Sequence, residues 1–399
     1  GLACEMLWRE ARAQSDFSLV AGKLAEVLAL VRQSADAKAA ALGVSPYEAL
    51  MDQYEPGART APVDALFAEL SDFLPDFIED VLTHQGKRPD DLPLGGPFPI
   101  AAQRALGVRL MERLGFDFDR GRLDISLHPF CGGVPDDVRI TTRYDEDDFT
   151  QSLMGVLHET GHALYEMGLP PDWRHQPVGG ARGMALHESQ SLLIEMQACR
   201  SRHFIEFAAP LMREAFLVDG ADSDDGGDGA WGVDNLYSHY TRVKRSLIRV
   251  DADEVTYPAH VILRYRLERA LIAGDMKVAD IPGAWNDAMQ ELLHITPPND
   301  ADGCLQDIHW FDGTFGYFPT YTLGALAAAQ LFEAARKTDP GIPQAISQGD
   351  FKPLVGWMGE RIHGRASSAS THDLMVDATG APLGIDAFRR HLTARYLSD

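Results

Sequence analysis

The chain has 399 residues, 45% of them hydrophobic, and 36 Lys plus Arg against 59 Asp plus Glu, for a formal net charge of -23. That length and apolar content allow a large core in one big domain or two, while the charge excludes nucleic acid and anionic membrane surfaces as natural partners. No run of about 18 apolar residues marks a membrane span, and the opening GLACEMLWREARAQ lacks the basic start and apolar centre of a secretory signal.

A soluble, cytoplasmic protein is expected. Cys4, Cys131, Cys199 and Cys304 form no CxxC pair, which argues against a zinc ribbon or redox dithiol and for free thiols in a reducing compartment. In chain order, apolar residues recur at helical spacing through 5–33, 61–84, 100–115, 150–167, 183–217, 257–273, 281–295, 319–336 and 383–397. The fold class is therefore mainly α. RLDISLHPF (122–130) and DVRITTRY (137–144) alternate apolar and polar residues around the turn-forming CGGVPD, which predicts a small antiparallel sheet. The acidic, Gly-rich 219–229 lacks the ligand spacing of a calcium loop and reads as a solvated loop. No repeat or Pro-rich linker divides the chain, so residues 1–399 are expected to form a single helical domain, with room for two lobes around a cleft.

Within VLHETGHALYEMG (156–168), His158 and His162 stand at i and i+4. On a helix both imidazoles leave one face a turn apart, the separation two ligands of one tetrahedral ion need. Glu159, one step around, is placed to hold a water on that metal as general base. A catalytic zinc takes three protein ligands and keeps a fourth position for water. MALHESQSLLIEMQ (184–197) offers the third as Glu188, with Glu195 a competitor at helical spacing and His187 a packing or supporting histidine.

HETGH followed by HESQ resembles the thermostable carboxypeptidase (carboxypeptidase Taq) family of zinc-dependent peptidases. Further motifs of that family recur in order: HPF at 128–130, DVRIT at 137–141, IRVDAD at 248–253 and GCLQDIHW at 303–310. The resemblance runs from WREAR near the start to the final SD. It implies a large helical metallopeptidase fold with a deep substrate cleft and the small antiparallel sheet beside the active site. Family members carry a further helical segment ahead of WREAR, which is expected to be absent here, and they are commonly homodimers.

The resemblance also implies roles. Arg249 of IRVDAD is the first choice to clamp the substrate's terminal carboxylate, for which the planar guanidinium is suited, while Arg139 of DVRIT orders the groove. Each has a structural alternative, an ion pair with Asp253 or Asp137. His309 and Tyr317 are expected to stabilise the oxyanion, with Tyr321 contacting substrate in the same aromatic run. Asp307 is a candidate to orient a ligand histidine, and His128 more often fixes a turn than binds metal. The strand DVRITTRY is expected to offer an edge to an extended peptide, which would give broad specificity. The expected activity is metal-dependent removal of single C-terminal amino acids from peptides, with one Zn2+, or Co2+ in its place. The alternatives are a zinc endopeptidase, a dipeptide-releasing enzyme and a catalytically silent metal-binding protein.

Overall fold

The apolar stripes of the sequence fold as helices, in a chain that divides into two compact units of discontinuous segments. A computed structural model describes residues 1–126, 129–217 and 229–398. His128 and all of the acidic 219–229 stretch except Gly229 lie outside the described residues.

In chain order the helices are α1 (Leu2–Gln14), α2 (Ser18–Leu42), α3 (Pro46–Met51), α4 (Thr60–Gln85), α5 (Ile100–Leu114), α6 (Phe149–Met167), α7 (Met184–Leu192), α8 (Arg202–Phe216), α9 (Val233–Tyr240), α10 (Tyr257–Ala273), α11 (Ile281–Leu293), α12 (His309–Asp312), α13 (Pro319–Thr338), α14 (Ile342–Ser347), α15 (Lys352–Arg361), α16 (Thr371–Thr379) and α17 (Asp386–Tyr396). The strands are β1 (Gly121–Ile125), β2 (Phe130–Val134) and β3 (Asp137–Thr142).

One unit comprises Gly1–Lys87, Val243–Leu323 and Tyr396–Asp399. The helical spacing over 5–33 is interrupted here, because Ser15 adopts a left-handed conformation (φ 53°) that ends α1. At the centre lies α10, buried almost all round, as a core helix must be. Its Arg264 and Glu268 are wholly buried, one turn apart. Arg264 donates to Asp307 Oδ2 at 2.7 Å and Gln306 Oε1 at 2.8 Å. Glu268 accepts from Tyr47 Oη at 2.7 Å, Trp310 Nε1 at 2.9 Å and the Gly316 amide at 3.0 Å. Pairing of this kind is what makes buried charge tolerable. It fastens the loop around His309 to the core.

The other unit comprises Arg88–Arg242 and Gly324–Arg395. Its sheet is small, as expected, but mixed: the order is β1-β3-β2, with β1 parallel and β2 antiparallel to β3. The reason is that residues 131–134, read as turn-forming, join Phe130 in a strand of their own. This hairpin strand pairs with β3 and leaves 121–125 to run parallel on its far side. The DVRIT strand is therefore central and offers no edge, correcting the expected docking strand; β2 stands at the edge instead. Met111, Phe116, Leu123, Val138, Ile140, Val156 and Ala163 form the apolar cluster that seats α6 on the sheet.

His363 of this unit, 2% exposed, donates to Gln190 Oε1 at 3.0 Å. Burial pushes its pKa down to about 3, so the folded chain keeps it neutral while the unfolded chain takes up a proton near pH 6.5. Stability is expected to fall as pH drops from about 6.5, by up to about 1.4 kcal/mol per pH unit for this residue. Denaturant unfolding of a His363→Gln variant at several pH values should show a flatter dependence between about pH 6 and 4.

Candidate metal centre

The N-terminus of α6 is fixed by Asp148, whose carboxylate accepts the Thr150 amide at 2.8 Å. Three turns on, His158 and His162 leave the same face with ring centroids 5.0 Å apart. Helix α7 meets α6 at Gly161, where a Cβ would lie 2.6 Å from both Gln190 O and Ser191 Cα. The glycine of HETGH thus sets the approach that brings Glu188 to the histidines. Glu188 Oε2 lies 3.4 Å from His162 Nε2 and 3.9 Å from His158 Nε2, and all three donor atoms fall within 4.8 Å of one another. Ligands about 2.0–2.1 Å from a tetrahedral ion stand roughly 3.4 Å apart, so two imidazoles and a carboxylate at these separations fit a divalent metal. A second observation supports the fit. Among the described residues Oε2 of the buried Glu159 has no hydrogen-bond partner, an unpaired acceptor of the sort that belongs beside a reacting water.

Both imidazoles are oriented from behind. Nδ1–H of His158 donates to Glu195 Oε2 at 2.9 Å. His187 Nε2–H donates to Glu166 Oε1 at 2.9 Å, which leaves His187 Nδ1 to accept Nδ1–H of His162 at 2.6 Å. The hydrogen bonds therefore assign both ligand rings the tautomer that presents an Nε2 lone pair to the ion. Burial opposes charge on His158, yet Glu188 and Glu195 raise its pKa to about 10, a negative field that a cation at Nε2 would equally satisfy. Burial lowers His162 to about 4 and raises Glu159 to about 7.

From the opposite side α13 presses on Glu188. A Cβ at Gly324 would sit 2.7 Å from Glu188 Cβ, so no side chain fits there. Gly324→Ala is expected to displace the carboxylate and weaken metal binding about 10- to 100-fold, the usual consequence of disturbing the support of a ligand. Titration in metal buffers checks this.

The sequence placed Glu195 as a rival ligand, whereas the structure puts it behind His158. It also brings in Glu166, Arg200, Gly161 and Gly324, which carried no motif signal beyond the glycine of HETGH.

Arg139 on β3 is half-exposed and pairs with Asp137 through two hydrogen bonds, 3.0 and 2.8 Å. The other unit holds Arg249, His309, Tyr317 and Tyr321. Arg249 is buried; its Nε and Nη2 donate to Asp307 Oδ1 at 3.1 and 2.7 Å and its Nη1 to Tyr257 Oη at 2.7 Å. Its acidic partner is thus Asp307 and not Asp253, because Asp253 is occupied by the amides of Lys244, Val255 and Thr256. Asp307 in turn binds Arg249 and Arg264, and its Oδ1 lies 4.0 Å from Nδ1 of His309. His309 packs on Phe318 at 4.5 Å and lies 3.5 Å from the Tyr321 hydroxyl, while Tyr317 packs edge-on against Tyr54 and Tyr321. Burial lowers the pKa of His309 to about 4, leaving the ring neutral. Among the described residues no helix is long and apolar enough to cross a membrane, and the four cysteines are free thiols.

Comparison with known proteins accords with this geometry. The family model described as carboxypeptidase Taq (M32) metallopeptidase matches residues 2–396. The chain is 40% identical over 400 residues to thermostable carboxypeptidase 1 of Thermus thermophilus and 36% identical over 393 residues to carboxypeptidase 1 of Bacillus subtilis, covering 98% of this chain and 76% of each relative. Among solved structures, Trypanosoma cruzi metallocarboxypeptidase 1 superposes with a TM-score of 0.95 at 41% identity, over 100% of this chain and 78% of that one. A chain that carries the HETGH and HESQ side chains in ligating arrangement, and matches this family over nearly its whole length, is a metallocarboxypeptidase and belongs to the carboxypeptidase Taq (M32) family.

Proposed function

We propose that the enzyme removes single amino acids from the free C-terminus of peptides with broad specificity, holding one Zn2+, or Co2+ in its place, through His158, His162 and Glu188. The observation that carries this reading is the convergence of those three donors, together with a Glu159 oxygen that has no partner among the described residues. When bound, the ion supplies Lewis acidity to the last peptide carbonyl and acidifies a water molecule. Glu159 takes the proton of the attacking water at Oε2 and returns it to the leaving amine. For the oxyanion we assign His309 and Tyr317, supported by the neutral, N–H-bearing ring of His309.

Arg249 is assigned to the terminal carboxylate and Tyr321 to substrate contact. Arg249 and Arg264 share the single carboxylate of Asp307, so the two cations carry more charge than the anion between them, and a substrate carboxylate would offset it. Main-chain pairing along the edge strand β2, whose Cys131 lies within electrostatic range of Glu159, would hold peptides of varied sequence; Arg139, tied to Asp137, orders that sheet. Unpaired cysteines support a cytoplasmic enzyme, and the family resemblance supports a homodimer.

The test compares a blocked peptide as free acid and as C-terminal amide, with chelator and with metal restored. The free acid should be cut at least 100-fold faster, as expected when an amide cannot supply the carboxylate that a site is built to bind, releasing one amino acid in a metal-dependent reaction. Equal cleavage of the amide would overturn the clamp, and release of dipeptides would overturn the exopeptidase register.

A further inference from the structure

The helix that carries Glu188 does not continue as an α-helix. From Leu193 to Cys199 it winds as a π-helix, and the Arg200 amide bonds back to the Glu195 carbonyl, five residues earlier, at 3.0 Å. This winding has a chemical consequence. In an α-helix a residue five positions on lies about 140° around the axis, so Glu195 and Arg200 would point apart. In a π turn positions i and i+5 are hydrogen-bonded neighbours, and here Arg200 Nη2 donates to Glu195 Oε1 at 2.7 Å. Arg200 Nη1 donates to the Tyr240 carbonyl at the end of α9 at 3.2 Å, which anchors the guanidinium outside its own helix. Oε2 of Glu195 is thereby left for Nδ1–H of His158 at 2.9 Å. Glu188, from the α-helical part of the same segment, faces the other nitrogen of that ring at 3.9 Å. One segment bonds one nitrogen of the imidazole and faces the other, and its change of winding sets the spacing.

We propose that Arg200 is a positioning residue for metal uptake, acting through the π turn: it fixes the Glu195 carboxylate, and Glu195 fixes the ring of His158 with Nε2 aimed at the ion. Glu195 is only 7% exposed, and without Arg200 it would be a buried carboxylate with a single partner, free to turn away from His158. π turns within α-helices are rare and frequently occur at functional sites. The inference rests on His158, His162 and Glu188 being the metal ligands.

The experiment titrates zinc into the metal-stripped protein against a chromophoric chelator, for wild type, Arg200→Met, Arg200→Lys, Glu195→Gln and Arg200→Met/Glu195→Gln, with circular dichroism as the measure of folding. Arg200→Met and Glu195→Gln should each raise the metal Kd about 10- to 100-fold. The double variant should be no weaker than the weaker single, because the two residues act in series. Arg200→Lys, which keeps the charge and loses the fork, should fall between wild type and Arg200→Met; it carries the comparison should Arg200→Met fail to fold. Wild type that binds no ion overturns the ligand assignment. Wild type that binds one ion while the Arg200 variants bind within twofold of it, or singles whose effects multiply in the double variant, overturn the role of Arg200 alone.

Discussion

Glu159→Gln is expected to bind one divalent ion as tightly as the wild type and to lose about 10²- to 10⁴-fold in kcat, the contribution of a positioned general base. The amide keeps the volume of a side chain that is 7% exposed, so the pocket stays packed, but its oxygen cannot take up a proton. Metal is retained because Glu159 is not among the three converging donors. Metal content of the purified variant, read beside its turnover, separates the outcomes. A Gln variant that still turns over places the base elsewhere, and one that loses its metal makes Glu159 a ligand.

Gly161→Ala is expected to be as damaging by a different route. Its new methyl would lie 2.6 Å from Gln190 O and Ser191 Cα, both backbone atoms of a packed helix, so no side-chain rotation relieves the contact. Overpacking of this kind costs about 1–3 kcal/mol. Here α6 and α7 must also separate, which draws Glu188 away from His158 and His162. Both the thermal midpoint and metal affinity should drop. Gly155→Ala on the same helix is the control. Its methyl would meet only Thr142 Oγ1 at 3.9 Å, and alanine's better helix propensity should hold stability level or raise it by up to about 1 kcal/mol. Equal effects of the two substitutions would show that helix propensity, and not the approach of the helices, governs the site.

The part of the metal centre that sequence made legible is the part set by local geometry. His158 and His162 meet because i and i+4 share a helix face, and Glu188 could be singled out because the second helix had one acidic residue in the HESQ context. What stayed hidden depends on which elements touch. The helical spacing over 183–217 covers α7, the π turn 193–199 and α8, whose start is capped by Ser201 accepting the Phe204 amide. Apolar periodicity does not register a single turn of altered winding, so Glu195 looked like a rival ligand. The sheet misled for a similar reason. Gly132 and Gly133 carry turn chemistry, yet they pair in register with Arg139 and Val138, and nothing local distinguishes a glycine-rich strand from a loop. Arg249 was matched to Asp253, an acid nearby in sequence, whereas the backbone amides that occupy Asp253 and the second guanidinium on Asp307 come together only in the fold.

Gly324 has a consequence for the energetics of metal uptake. With α13 packed directly on Glu188 Cβ and Cγ, the carboxylate's rotamer is chosen before any ion arrives. Freezing a glutamate side chain costs on the order of 1–2 kcal/mol, and in this protein that entropy is surrendered during folding. The incoming ion meets a preorganised ligand, so more of its coordination energy appears as affinity.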